Sequence, residues 1–305
     1  MFQRKDTIME KIIDLHIHTN ISDGALTPKE IIDEAIKNNV HTIAIADHDT
    51  IDAYTKDLFN YAKKNNINII PAVEISTKIN KAGIHVLGYN FDIKNKKLIE
   101  QLSKLRNARH DYLFNVAKKL NELGYIVNTS ELDKIEAVTK AHISLDVISN
   151  KENEKVLLSN FGHIPSKGEF IETIMNENCP AYVKKESITP TEAATLIREA
   201  KGKVILAHPV AYTYEDNLTD EEIIDIIKDM KADGIESNYI YIDRNNNKIN
   251  DIDKWNNYAK QLNIITTIGS DFHNFDSIHP IVGLINEDIN LTLNDINNIL
   301  YNLNN

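Results

Sequence analysis

The sequence has one cysteine, Cys179, in 305 residues. A single thiol builds neither a disulfide framework nor a cysteine-based zinc site. No run of about 18 apolar residues occurs, so no membrane-spanning helix is expected. Ten Gly and seven Pro are too few for a collagen-like or linker-dominated chain. Positive charge is in deficit: 34 Lys and Arg against 45 Asp and Glu leave a net charge of −11. That balance excludes a protein whose whole surface grips nucleic acid, though not a locally cationic site. Residues 1–11 mix Arg, Lys, Asp and Glu without an apolar core. They are not expected to form a signal peptide, and a reducing cytoplasm is the expected location. Two catalytic signatures are missing as well, the Gly-x-Ser-x-Gly elbow and the phosphate-cradling P-loop.

What is present is ordinary in bulk, with 42% hydrophobic and 26% charged residues. Short apolar, β-branched runs recur at residues 12–18, 41–47, 68–76, 85–91, 203–209, 234–238 and 264–271. Near-continuous apolarity, as in Thr42-Ile43-Ala44-Ile45-Ala46, predicts strands buried on both faces, the pattern of a parallel sheet. Helical patterns separate most of these runs. Thr27-Pro28-Lys29-Glu30 is a capping box with Pro at the first helical position, and Thr189-Pro190-Thr191-Glu192 repeats it. Thr219 to Glu222 opens a third such helix, and 52–65, 253–262 and 292–301 supply others. Seven strands with crossover helices imply an α/β barrel or a doubly wound sheet, and periodicity does not choose between them. The alternation breaks from 96 to 185, where the chain is mostly helical. Leu98, Leu102, Leu105, Leu113, Val116, Leu120 and Leu123 predict one long amphipathic helix capped by Gly124. We read 96–185 as an inserted helical subdomain between 12–95 and 186–305, with an Asn-rich surface stretch at 245–250.

Polar residues of one chemical kind gather at the strand ends. The first strand ends in Asp14-Leu15-His16-Ile17-His18, and alternation puts both histidines on one face. Asp23 follows in a polar turn. The second strand ends in Asp47-His48-Asp49, the third carries Glu74, the fifth ends in His208-Pro209 and the seventh in Asp271-Phe272-His273. His85 differs in lying at the start of its run. Strand ends are where α/β sheets build sites. A doubly buried strand gives no packing reason for His-x-His, whereas imidazole with carboxylate suits Mn²⁺, Fe²⁺ or Zn²⁺. Each residue alone reads as an ordinary hydrogen-bonded side chain, but five strands would have to be ordinary together. His41, His110, His163 and His279 lie away from these ends and read as solvated or structural, and Cys179 as a buried small apolar group. Asp14, Asp47 and Asp49 read equally as carboxylates that orient imidazoles or as turn and cap residues.

The constellation resembles the PHP (polymerase and histidinol phosphatase) family. The matching motifs are Asp14-Leu15-His16-Ile17-His18-Thr19 with Ser22-Asp23-Gly24, Ala46-Asp47-His48-Asp49, Pro71-Ala72-Val73-Glu74-Ile75, His85-Val86-Leu87-Gly88-Tyr89, Leu206-Ala207-His208-Pro209 and Gly269-Ser270-Asp271-Phe272-His273. The resemblance implies a distorted (β/α)₇ barrel with three divalent metal ions, Mn²⁺ first and Zn²⁺ or Fe²⁺ as alternatives. It implies that His16, His18, Glu74 and Asp271 hold one ion, that Glu74 bridges to a second held by His85 and His208, and that Asp23, His48 and His273 hold the third. These nine are the expected catalytic centre.

Within the family, the chain is most similar to the branch of 3′,5′-nucleoside bisphosphate phosphatases and 5′-to-3′ exoribonucleases with a helical insertion. Cys179-Pro180-Ala181-Tyr182-Val183-Lys184 and Thr139-Lys140-Ala141-His142 carry that likeness. In the second, Lys140 and Ala141 stand where the branch usually has Arg-Pro, which loses a bidentate fork. The branch implies removal of the 3′-phosphate from a nucleoside 3′,5′-bisphosphate by a metal-bridged hydroxide, and trimming of short 5′-phosphorylated oligonucleotides. Lys140, His142 and Lys184 are the candidates for a second phosphate, although Lys184 with Lys185 reads equally as a solvated pair. Arg198 reads as a surface residue. The expected partner is a small nucleotide or short oligonucleotide, with no membrane and no stable protein partner indicated. The competing readings are a small-monoester phosphatase of the histidinol phosphate type and a non-catalytic metal- or nucleotide-binding regulator.

Overall fold

A computed structural model describes residues 12–80, 82–133, 135, 138–184, 186–243, 247–275, 278–283, 289 and 291–305. The charged stretch 1–11, Lys185 and the first two residues of the Asn-rich stretch lie outside them. The chain divides into two compact units, Met1–Ile99 with Ile188–Asn305, and Glu100–Ser187.

The first unit is a mixed α/β fold. Its strands are β1 (Ile12–Ile17), β2 (Val40–Ile45), β3 (Asn68–Ile69), β4 (Ala72–Ile79), β5 (Ala82–Tyr89), β6 (Lys203–Leu206), β7 (Gly234–Asn238), β8 (Tyr241–Ile242), β9 (Lys248–Ile249) and β10 (Ile265–Ile268). They pair as a parallel sheet β1-β2-β3, a five-stranded sheet β10-β7-β6-β5-β4 and the small β8-β9 hairpin. Single parallel bridges, Ile17 with Phe272 and His48 with Glu74, join the ends of the two larger sheets. The 68–76 run is split where Pro71, which has no N–H for a ladder, falls between β3 and β4.

One strand departs from the parallel expectation. β5 runs antiparallel to both β4 and β6. Ile79 pairs with Ala82, so only residues 80 and 81 connect the two strands. A two-residue link turns a chain back on itself but cannot make a crossover, and Asn80 supplies a positive φ of 52°. The reversal accounts for His85. The start of β5 lies opposite the far half of β4, with His85 facing Ser76 across the ladder.

Threonines cap the helices as their spacing predicts. Thr27, Thr189, Thr219 and Thr292 all close capping boxes. The core holds Leu15, Leu87, Tyr89, Ile205 and Ile268 with Ile296, Ile299 and Leu303 of the helix Leu293–Asn304. Each large side chain removed from water contributes about 1.5–3 kcal/mol. Arg198 is not a plain surface residue. Its guanidinium donates to the carbonyls of Met230, at 2.7 Å, and Lys231, which end the helix Asp220–Met230. Cations suit such helix ends.

In the second unit the predicted long helix runs Lys96–Glu122, its first residues belonging to the other unit. Leu98, Leu102, Leu105, Leu113, Val116 and Leu120 of the pattern are buried, whereas Leu123 is exposed. Gly124 follows at φ 88°, the left-handed conformation that ends helices. Leu113, Val116 and Leu120 pack with Tyr125, Ile143 and Phe170. Cys179 is half-buried rather than buried, with Sγ 3.2 Å from the Glu172 carbonyl. The chain makes a turn there whose neighbouring residues 177, 178 and 180 are exposed.

Candidate metal centre

Backbone pairing brings the polar strand ends together. The His18 N–H donates to the Phe272 carbonyl at 2.9 Å, the Asp271 N–H to the His16 carbonyl at 2.7 Å, and the Asp49 N–H to the Glu74 carbonyl at 2.9 Å. β1 alternates as predicted, and His16 and His18 point together into the buried interior at the sheet end. Asp23 reaches the same place from a turn held by Asp47, whose carboxylate accepts from the Thr19 N–H, the Thr19 hydroxyl and the Ser22 hydroxyl, each at 2.7 Å. Gly24 is required in that turn, since a Cβ there would fall 2.4 Å from the His18 carbonyl oxygen.

Glu74 is the hub. Its Oε1 lies 2.9 Å from His85 Nδ1 and 3.2 Å from His208 Nε2. Its Oε2 lies 3.2 Å from His16 Nε2, 3.2 Å from His18 Nε2 and 3.3 Å from His48 Nδ1. Asp271 Oδ1 approaches the Nε2 atoms of His16 and His18 at 3.5 and 3.2 Å. Asp23 faces His18, His48 and His273 at 3.4 to 3.7 Å. Three overlapping groups have donor atoms within 4.8 Å of one another: His16, His18, Glu74 and Asp271; His18, Asp23, His48 and His273; and His48, Glu74 and His85. All nine predicted residues therefore meet at one end of the sheets.

Burial opposes charge on His16, His18, Asp23, His48, Glu74, His208 and Asp271, yet opposite charges outweigh it for all but one of these seven. Glu74 and Asp271 are held well below the usual carboxylate range, Glu74 by His48, His85 and His16, and Asp271 by His16, His18 and His273. Against the same desolvation, Glu236, Glu74 and Asp271 raise His16 well above its ordinary value, and Asp271 and Glu74 push His18 up to about 10. His48 is the exception. Burial holds it well below the ordinary histidine value despite Glu74 and Asp23.

These residues fit divalent cations. His16 Nε2 and His18 Nε2 sit 3.1 Å apart, aimed at the same space. The buried His18 Nδ1 and His208 Nδ1 make no hydrogen bond. Nitrogen and carboxylate donors converging out of water suit borderline metal ions. Two ligand candidates, His208 and Asp271, have positive φ, 20° and 53°. Such backbone is sparse outside glycine and clusters at functional sites.

A PHP domain profile matches residues 14–205. The chain belongs to the PHP family. A 5′-3′ exoribonuclease from Haemophilus influenzae is 31% identical over 271 residues, covering 87% of this chain and 91% of its own. A 3′,5′-nucleoside bisphosphate phosphatase from Chromobacterium violaceum is 24% identical over 266 residues, covering 86% and 87%. A solved structure from Bifidobacterium adolescentis, provisionally described as a metal-dependent phosphoesterase, shares the fold with a TM-score of 0.68, 19% identity and 96% coverage of each chain. This PHP protein is an enzyme, a metal-dependent phosphoesterase.

Not every sequence reading matches the geometry. His279 reads in the sequence as solvated or structural, but its ring lies 5.2 Å from that of Tyr239, within the field of Asp271, Glu236, His273 and His208. Burial is the main cause that lowers its pKa. Asp14 and Asp47 are backbone and hydroxyl acceptors rather than imidazole partners. Asp14 takes the N–H groups of Ser270 and Gly283, and burial pushes its carboxyl up to about 6. His110 and His163 pair with Asp133 and Glu169 at the surface, as structural residues do. The residue that sequence reasoning missed is Glu236. It is fully buried on β7, 3.1 Å from His16 Nδ1. A carboxylate inside a strand buried at all five positions was the available signal, because such a group must have a partner. Among the described residues no helix is long and apolar enough to cross a membrane.

Proposed function

We propose that the chain hydrolyses the 3′-phosphate of nucleoside 3′,5′-bisphosphates, giving the nucleoside 5′-monophosphate and phosphate. It would also trim short 5′-phosphorylated oligonucleotides in the 5′-to-3′ direction. The observation that carries this reading is that relatives named for each activity align over 87% and 86% of the chain. Within it, 12–95 and 186–305 form a distorted (β/α)₇ barrel, which the two joining bridges support, and 96–185 is the inserted subdomain. A single cysteine is consistent with a reducing, cytoplasmic setting.

In this reading three divalent ions, Mn²⁺ first, take His16, His18, Glu74 and Asp271; Glu74, His85 and His208; and Asp23, His48 and His273 beside His18. Bound there, they would supply Lewis-acid stabilisation of the phosphoryl oxygens and a nucleophilic water ionised near neutral pH. The protein's own part is to hold the donors at fixed aim. Glu74 presents one oxygen to two imidazoles and the other to three. Asp47 fixes the turn that carries Asp23. His273 donates Nδ1–H to the Asp271 carbonyl at 2.9 Å, which turns Nε2 toward Asp23.

Lys140, His142 and Lys184 are assigned to the second phosphate. Lys140 begins the helix Lys140–Ser149 and bonds Asn176 Oδ1 at 2.9 Å. His142 completes the capping box with Thr139, and Lys184 is exposed. A phosphate would have to compete with the Asn176 bond for Lys140, and a charge-assisted contact is the stronger of the two.

The test is phosphate release from adenosine 3′,5′-bisphosphate and from a short 5′-phosphorylated RNA, with Mn²⁺ and with chelator. Metal-dependent release, lost in Asp271→Asn and His18→Ala, supports the assignment. Metal-loaded protein that turns over neither substrate sinks it and moves a histidinol-phosphate-type monoester to the front.

A further inference from the structure

Glu236 Oε1 and Oε2 both lie 3.1 Å from His16 Nδ1, and Oε2 also accepts the His208 N–H at 3.0 Å. Both oxygens of Glu236 face nitrogen donors and act as acceptors, so Nδ1 of His16 carries the hydrogen in this contact. Its Nε2 then faces Glu74 Oε2 at 3.2 Å and Asp271 Oδ1 at 3.5 Å. His208 sits at φ 20°, ψ 63°, the position that opens the helix Pro209–Glu215. The bond from its N–H to Glu236 holds that backbone in place. The contact depends on a missing side chain, because a Cβ on Gly269 would fall 2.1 Å from His16 Cβ and 2.7 Å from Glu236 Oε1.

We propose that Glu236 is a positioning residue for two metal ligands at once, locking the tautomer of His16 and the backbone of His208. One carboxylate on β7 thereby couples the aim of two metal positions that share Glu74. This rests on reading His16 and His208 as ligands. Partners of this kind raise the basicity of a ligating imidazole and fix its ring, and losing one weakens metal affinity by about 10–100-fold.

The experiment titrates Mn²⁺ and Zn²⁺ calorimetrically into the metal-free full chain, wild type, Glu236→Gln and Glu236→Asp. Glu236→Gln keeps the shape, but its single acceptor oxygen cannot replace both carboxylate oxygens. Its affinity is expected to fall about 10–100-fold, with partial recovery in Glu236→Asp. A purely structural Glu236 would shift the melting temperature of the metal-free protein and leave the dissociation constants in place. Nitrogen-15 NMR of Zn²⁺-loaded wild type gives a reading that needs no variant to fold. His16 is expected to be protonated at Nδ1 and bare at Nε2, and the opposite tautomer overturns the proposal. Equal affinities in wild type and Glu236→Gln overturn it alone, whereas a wild type that takes up no divalent ion overturns the functional reading with it.

Discussion

The two compact units bury opposite kinds of side chain. At the strand ends of the sheet unit, six imidazoles and four carboxylates meet largely out of water. In the helical unit, Glu100–Ser187, the interior is a continuous apolar cluster around Leu120 and Phe170. Burying ionisable groups is unfavourable unless each is matched by an opposite charge or a metal. The sheet unit therefore carries an arrangement that chemistry needs and packing alone would not select. The helical unit carries one that packing selects unaided, and its phosphate candidates, Lys140 and His142, already have local partners.

The sharpest way to break this contrast is Glu74→Gln, which leaves five imidazoles facing a neutral amide. Phosphate release is expected to fall at least about 10³-fold, roughly 4 kcal/mol of transition-state stabilisation. A variant within tenfold of wild type would remove Glu74 from the centre. The mirror-image change is Leu120→Ala, a fully buried residue of the helical unit. It should lower stability by about 2–5 kcal/mol in denaturant unfolding while folded protein still binds metal at wild-type affinity. Metal removal comes next. With metal at 100 times its dissociation constant, chelation should remove about 2.7 kcal/mol of apparent stability. Amide exchange should then rise at residues 12–18, 45–49 and 265–273, and an equal rise throughout 100–187 would erase the contrast. Lys140→Ala is milder. Losing a charge-assisted phosphate contact, about 1.5–3 kcal/mol, should raise KM for the bisphosphate with kcat and metal content little changed.

The smallest effect is a titration. The Glu169 carboxylate beside His163 raises that imidazole above its ordinary value. Its folded pKa exceeds the unfolded one, so its small stabilisation is present below the ordinary histidine value. The stabilisation is lost as pH rises through the raised value. Proton NMR should place the midpoint above that of free histidine in the wild type and return it in Glu169→Gln. An unmoved midpoint would deny the pair.

The share of this architecture legible in the sequence follows the range of the interaction. His16 and His18 were readable because alternation along a strand is local geometry. Capping threonines were readable for the same reason. His85 was identified as a candidate, but its place at the start of its run made sense only once β5 was seen to run backwards. Glu236 and His279 were not seen at all as site residues. Glu236 stands among unremarkable neighbours and its partners are far away along the chain, whereas His279 follows Asp271 and His273 closely but lies beyond the strand end. His16 and Glu236 are 220 residues apart, and His208 and Glu74 are 134.

By itself, then, the sequence determined which candidate ligands would gather and which family the chain belongs to, because ligand types and their spacing along single strands are written locally. The tertiary structure alone decided that Glu74 would be shared among five imidazoles, that β5 would reverse, and that Glu236 would stand behind His16. Those outcomes depend on strand direction and on contacts between distant segments, which no local period encodes.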